Sequence, residues 1–408
     1  MGQSPASKDL HSKVLDALEL ARPALLAHVR NAATGSTRSG ELALVVLAAL
    51  HDGIDPRHAD MAKAIKKLAK AKPNQTYDIA LRLIVLDACP SFPDRSKLAK
   101  KDLKRLLQHL SRRGCFQYFA KPSTWDLSNT QYGALGLRAA LSMGLRVPRD
   151  VWRRMAQSVR AQQGPTGSFG YARSDSAARG YASMTAAGIA VLAVCQQGME
   201  GQGQLARDLD GHLQSGWRWF GRNTDRIGSP KERWSFYFHY GLERAAILCG
   251  VDKVAGVVDW YEAGARMFVD EQLAGGGWQS AKDGFPGSHL SGKRGDSVPT
   301  AFAVLFLRRK FQRNIGPITQ HIVRLVNIGP MSKPADISAC SKTLVARGID
   351  ALPDTLQALR SEVETKRRAA AGALQGLCGQ DFGYDPARDR DGNRRALRQV
   401  EMWYLKNR

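Results

Sequence analysis

Two kinds of helical segment alternate along the first three quarters of the chain. One kind is apolar or small on every face: Ala182–Cys195 reads Ala-Ser-Met-Thr-Ala-Ala-Gly-Ile-Ala-Val-Leu-Ala-Val-Cys, and such a helix is buried on all sides. The other kind carries charges between apolar positions at helical spacing, as Val151–Gln162 and Tyr261–Gln272 do, and so turns one face to a core and one to water. Apolar segments recur near Gly40–His51, Tyr77–Ala88, Asn129–Leu141, Ala182–Cys195, Tyr237–Leu248 and Thr300–Arg309. Corresponding points at Leu44, Ala80, Ala134, Ala187, Leu242 and Ala303 lie 36, 54, 53, 55 and 61 residues apart. That is room for two helices and their connections, so each repeat is one supersecondary unit. Buried inner helices alternating with one-sided outer ones predict an all-α fold, an α/α toroid of six helix pairs.

The connections repeat as well. Gln163-Gly-Pro-Thr-Gly-Ser-Phe169 and Gln272-Leu-Ala-Gly-Gly-Gly-Trp278 each place a glycine and then an aromatic at the end of an outer helix. Leu110-Ser-Arg-Arg-Gly-Cys-Phe116 is a weaker copy. Gly167, Gly170, Gly276 and Gly277 are expected in tight turns that need positive φ. After Asn314 the pattern changes to short amphipathic helices, Ala335–Ala346, Pro353–Arg360 and Val363–Leu377. These read as a HEAT-like tail, followed by a polar turn and a last helix with Trp403 and Tyr404. The expected domains are therefore 1–330, the toroid, and 331–408, the tail.

Composition narrows the class without naming a chemistry. The chain has 408 residues, 43% of them apolar, and a mean hydropathy of −0.33. No run approaches the ~18 consecutive apolar residues of a membrane span, and Met1–Ser12 lacks the apolar core of a signal peptide, which leaves localisation open. Six scattered cysteines without a CxxC pair predict reduced, mostly buried thiols. No histidine spacing announces a metal, and no cofactor is expected. The net charge of +23 is concentrated early: Lys63–Arg113 holds 14 Lys/Arg against 4 Asp/Glu. A surface of that kind attracts nucleic acid or other anionic partners at long range, although no aromatics interleave with the lysines as single-strand binding requires.

The repeat segments carry a resemblance. Together with Asp126-Leu-Ser-Asn-Thr-Gln-Tyr-Gly-Ala-Leu, Ser183-Met-Thr-Ala-Ala-Gly, Tyr240-Gly-Leu-Glu-Arg and Asp296-Ser-Val-Pro-Thr-Ala-Phe-Ala, the first 310 or so residues resemble the terpenoid cyclase and protein prenyltransferase β-subunit superfamily. The likeness is to bacterial squalene-cyclase-like repeat proteins in particular. It implies a cavity for an apolar ligand and one of two chemistries. In the cyclases the middle aspartate of an Asp-x-Asp-Asp-Thr-Ala motif protonates an alkene. The stretch of that shape here is Asp296–Ala301, where Val298 stands in the donor's place and Pro299 in its neighbour's. In the prenyltransferases an Asp, a Cys and a His hold zinc, and Val298 also stands where the cysteine belongs. Valine supplies neither a proton nor a thiolate.

The resulting expectation is a non-catalytic binding or scaffold module, for an apolar molecule or a protein partner. Its cavity lining would come from Trp234, Tyr237, His239 and Tyr240 in the densest aromatic stretch, with Asp296. The first alternative is a divergent enzyme of the toroid cavity, with prenyl or inverting glycoside chemistry, whose acids would be drawn from Asp126, Asp175, Glu232 and Asp296. The second is nucleic-acid or anionic-surface binding through Lys63–Arg113. Glu41, Asp78, Asp126, Glu232 and Asp296 fall near the N-terminal ends of inner helices, where acidic residues also serve as caps.

Overall fold

The computed structural model describes residues 5–172, 180–199, 204–280, 295–308, 332, 334–361 and 363–407. The chain divides into two compact units, Ala17–Gly316, and Met1–Asp16 together with Pro317–Arg408.

The larger unit is a closed ring. Its inner helices are α2 (Ser39–His51), α4 (Thr76–Ala88), α6 (Leu127–Ser142), α8 (Ala182–Gly198), α10 (Ser235–Cys249) and α12 (Ser297–Arg308). Each packs on the next, and α12 returns to pack on α2. The outer helices are α1 (Pro5–Thr34), of which the part from Ala17 on belongs to this unit, α3 (Ala59–Lys70), α5 (Arg95–Gln108), α7 (Arg149–Arg160), α9 (Gln204–Gly221) and α11 (Trp260–Asp270). Sequence pattern and position agree: Ala182–Cys195 is buried residue for residue, whereas α7 buries only Val151, Trp152, Met155, Ala156 and Val159, one stripe at helical spacing. A two-stranded hairpin, Lys253–Val254 with Val258–Asp259, joins α10 to α11. The ring is sealed at both ends of the α12–α2 contact. Ser297 Oγ donates to Glu41 Oε1 at 2.5 Å, and Arg308 Nη2 pairs with Asp52 Oδ1 at 2.5 Å.

The repeated turns work as buckles. The backbone N–H of Phe116, Phe169 and Trp278 donates to the hydroxyl of Thr130, Thr185 and Thr300, one turn into the following inner helix. Their carbonyls accept the N–H of Asp126, Tyr181 and Asp296, the residues that precede those helices. Gln163 Nε2 bonds Gly167 O and His212 O on α9. Gln272 Nε2 bonds Gly276 O and Ala17 O on α1, so the last outer helix is tied to the first. Gly167 (φ +92°) and Gly276 (φ +85°) are left-handed, while Gly170 and Gly277, expected to share that conformation, do not. Where Leu110 replaces the glutamine, α7 supplies the bonds instead. Arg154 Nη1 donates to Arg112 O, and Ser158 Oγ to Arg113 O, both at 2.9 Å.

The smaller unit contains α13 (Pro334–Arg347), α14 (Leu352–Leu359), α15 (Glu364–Cys378) and α16 (Arg394–Asn407). Leu344, Leu352, Leu356, Leu359, Ala370, Leu374, Leu397 and Val400 form its core. Among the described residues, no helix is long and apolar enough to cross a membrane.

Candidate functional site

The inner helices start at one end of the ring, and the buckles bring matching residues to that mouth. Asp126, Tyr181 and Asp296 occupy the same position in three repeats, each donating its N–H to the carbonyl of the turn aromatic. A tyrosine in the middle copy shows that the position needs no acid for the fold. Asp126 does cap α6: Oδ1 accepts from the Asn129 N–H and Oδ2 from Asn129 Nδ2, both at 2.8 Å. Burial nevertheless pushes its carboxyl above the ordinary aspartate range, against the downward pull of Asn129 and the Tyr171 hydroxyl. A buried carboxyl of this kind holds a proton at higher pH than an exposed one. Asp296 is also buried, and it precedes α12, three positions round a ring of six from α6.

Below Asp126 runs a chain of hydroxyls. Ser128 Oγ accepts from the Tyr77 hydroxyl and lies 2.8 Å from the Tyr237 hydroxyl, which in turn donates to Gln131 Oε1 at 2.8 Å. The rings beneath form one wall. Tyr132 lies 4.6 Å from Tyr77, 6.3 Å from Tyr237 and 6.4 Å from Tyr240, between centroids, and Phe302 lies 4.8 Å from Tyr240. Burial raises the phenols of Tyr77, Tyr132, Tyr237 and Tyr240, so their hydroxyls stay protonated. Among the described residues, Gln131 Nε2 and Ser183 Oγ are buried without a partner, an arrangement costing roughly 1–3 kcal/mol per group unless something else meets it. Tyr118, 39% exposed, carries the system to the rim, its hydroxyl 3.3 Å from that of Tyr171.

The structure sorts the remaining expected residues. Tyr237 and Tyr240 face the interior with Tyr132. His239 does not: its ring packs against Phe268 and Phe306 toward α11, Nε2 accepts the Gly228 N–H, and Nδ1 donates to Ser235 O. Burial drives its pKa down to about 4, so it is a neutral core histidine. Trp234 precedes α10 in the left-handed conformation (φ +60°) with the Arg233 guanidinium near its ring. Glu232 pairs with Arg226 at 2.8 Å, and the residue at the N-cap of α10 is Trp234. Asp78 accepts from Ser39 Oγ at 2.8 Å. Asp175 lies outside the described residues. Val298 sits in the first turn of α12. Among the described residues no group of three or more His, Cys, Asp or Glu is placed to hold a metal ion.

Tyr77, Ser128, Gln131, Tyr132 and Tyr171 were not singled out from the sequence. A signal for most of them was present. Ser128, Gln131 and Tyr132 are polar positions at i, i+3 and i+4 on a mostly buried inner helix, and Tyr237, Tyr240 and Arg244 stand at i, i+3 and i+7, again on one face, of α10.

No family model matches the chain, and no curated protein matches it. Solved structures do. A single-residue variant of the type II terpene cyclase MstE from Scytonema, in complex with geranylgeranyl dihydroxybenzoate as substrate, is 15% identical with a TM-score of 0.47, covering 74% of this chain and 98% of that one. Another variant of the same cyclase, in complex with the product merosterolic acid A, is 14% identical with a TM-score of 0.42, covering 72% and 97%. The expectation of a non-catalytic module is corrected at this point: the similar solved structures are enzymes holding substrate and product. That expectation had weighed a single position, Val298, whereas the repeat places a second buried carboxyl, Asp126, at the same mouth. From its own ring closure and buckled turns, the fold is an all-α, α/α toroid.

Proposed function

We propose that the chain is a divergent enzyme of the toroid interior that protonates an apolar, prenyl-type substrate, with Asp126 as the acid. The observation that carries this reading is the buried Asp126 carboxyl, raised by its surroundings and set above the tyrosine wall. An acid acts productively on an apolar chain only where that chain offers a π bond, as a prenyl chain does. Protonation leaves a carbocation, which the electron-rich faces of Tyr77 and Tyr132 stabilise without attacking it as a carboxylate would. Gln131 Nε2 and Ser183 Oγ supply polar contacts that fix one end of the substrate. Asp296, at the equivalent repeat position, is the second candidate acid. Residues 331–408 are read as a HEAT-like tail appended to the toroid.

The test is turnover of linear prenyl compounds in deuterated water, read by mass spectrometry. Protonation at carbon leaves one deuterium in the product. Asp126→Asn keeps a good cap and should lose turnover by about 10²–10⁴-fold, with melting little changed. Full turnover in Asp126→Asn together with loss in Asp296→Asn would move the acid to Asp296. No deuterated product from any prenyl compound offered would sink the reading.

A further inference from the structure

The outer face of the ring carries an open groove away from the mouth. It lies between α5 and the segment after α6, has a volume of about 440 Å³, and is floored by Leu103, Leu107 and Leu145. Lys100, Lys104 and Arg146 stand around it, all exposed. It is shallow and open, so an occupant would keep one side in water. The charge is one-sided for a structural reason. The only acid within α5, Asp102, is buried and spent on a bidentate pair with Arg82, both bonds at 2.6 Å. Nothing on the helix therefore neutralises Lys97, Lys100, Lys101 and Lys104 on its solvent side.

We infer that this groove binds a single-chain anionic amphiphile, its alkyl tail on the leucines and its head between Lys100, Lys104 and Arg146. Each half of the site offers contacts that a simpler occupant would not use. A small inorganic anion would leave the leucine floor wet, and a neutral chain would leave three cations unanswered. Nucleic acid would find no ring to stack on, since no aromatic residue lines the groove. The inference is independent of the chemistry proposed for the mouth.

Dodecyl phosphate, kept below its micellar concentration, is the probe, titrated calorimetrically into the full chain. The expected result is saturable one-to-one binding that Lys104→Glu/Arg146→Glu weakens at least tenfold and Leu107→Asp abolishes. The control is Lys66→Glu/Lys70→Glu on α3, exposed residues that change the net charge equally; it should leave affinity within about twofold. Circular dichroism confirms that each variant is folded. Equal weakening by the α3 variant would overturn the inference in favour of diffuse charge. Equally tight binding of inorganic phosphate would reduce the site to an anion patch, and binding only to anionic vesicles would make it a membrane contact. Either of those outcomes also overturns it.

Discussion

The two ends of the inner ring are built from the same six helices and look unlike. At the mouth, carboxyls meet free backbone N–H groups, and the interior is lined with neutral hydroxyls. At the opposite end, arginines meet buried acids: Arg308 on Asp52, and Arg138 in the field of Asp87. The helix dipole accounts for the sign of both sets, since N-termini favour anions and C-termini cations. It does not account for the tyrosines. No cap or dipole requires Tyr77, Tyr132, Tyr237 and Tyr240 to share one wall, and that surplus beyond capping separates a candidate site from an end that is only held together.

The largest predicted effect breaks the arginine end. Asp52 is 1% exposed and shared by Arg308 and Arg22. Removing one partner from a buried pair costs more than the pair is worth, because the remaining charge stays buried. Arg308→Met leaves Arg22 at 3.0 Å, which places the loss near the lower end of such cases, about 3 kcal/mol. Chemical denaturation should show it as a lower midpoint at unchanged slope. A loss below ~0.5 kcal/mol would mean that α12 and α2 are joined by apolar packing alone.

A glycine from each end sharpens the contrast. Gly276, in the buckle at the mouth, has φ +85°, and an added Cβ would lie 2.0 Å from the carbonyl oxygen of Leu20. Gly144, after α6 at the other end, has φ +80° with open space around it. An alanine at either position meets the left-handed penalty of ~1–2 kcal/mol, but at 276 it must also displace backbone, adding about 1–3 kcal/mol. Gly276→Ala should therefore lower stability by about 3 kcal/mol and Gly144→Ala by about 1. Equal losses would show that conformation alone, and not the seam between α11 and α1, sets the need for glycine at the buckle.

How much of this was readable beforehand follows the same division. The ring was legible because burial on all faces leaves a composition that no surface helix has, and Ala182–Cys195 carries it plainly. The buckles were legible as Gln-x₃-Gly-x-aromatic, because a left-handed glycine and an aromatic anchor admit few substitutes. The compensation at Leu110 was not, since Arg154 and Ser158 act from a helix some 40 residues on, and nothing local marks them. The direction of His239 was also hidden: it shares a helix with Tyr237 and Tyr240, and two positions' rotation turns it from the interior to α11. The hydroxyl chain joins α4, α6 and α10, and pairing across 51 to 109 residues leaves no trace in a single sequence.

The smallest predicted effect concerns an acid at the wrong end. Asp87 lies in the last turn of α4, where the dipole opposes a negative charge. Burial raises its pKa to about 6, against the pull of the Ser142 hydroxyl and of Arg138 and Arg95. The folded state thus binds this proton more tightly than the unfolded chain does. Its contribution to stability is complete below the unfolded value near pH 4 and is lost as pH rises through about 6. Asp87 is only partly buried as a residue, so the loss is about 1–2 kcal/mol rather than the full value of a two-unit shift. Other carboxyls titrate in the same window, so the measurement is the difference between the parent chain and Asp87→Asn at matched pH. The parent should lose stability relative to the variant between pH 4 and pH 7 and run parallel to it above. A difference that stays flat across that range would place Asp87 at its ordinary pKa.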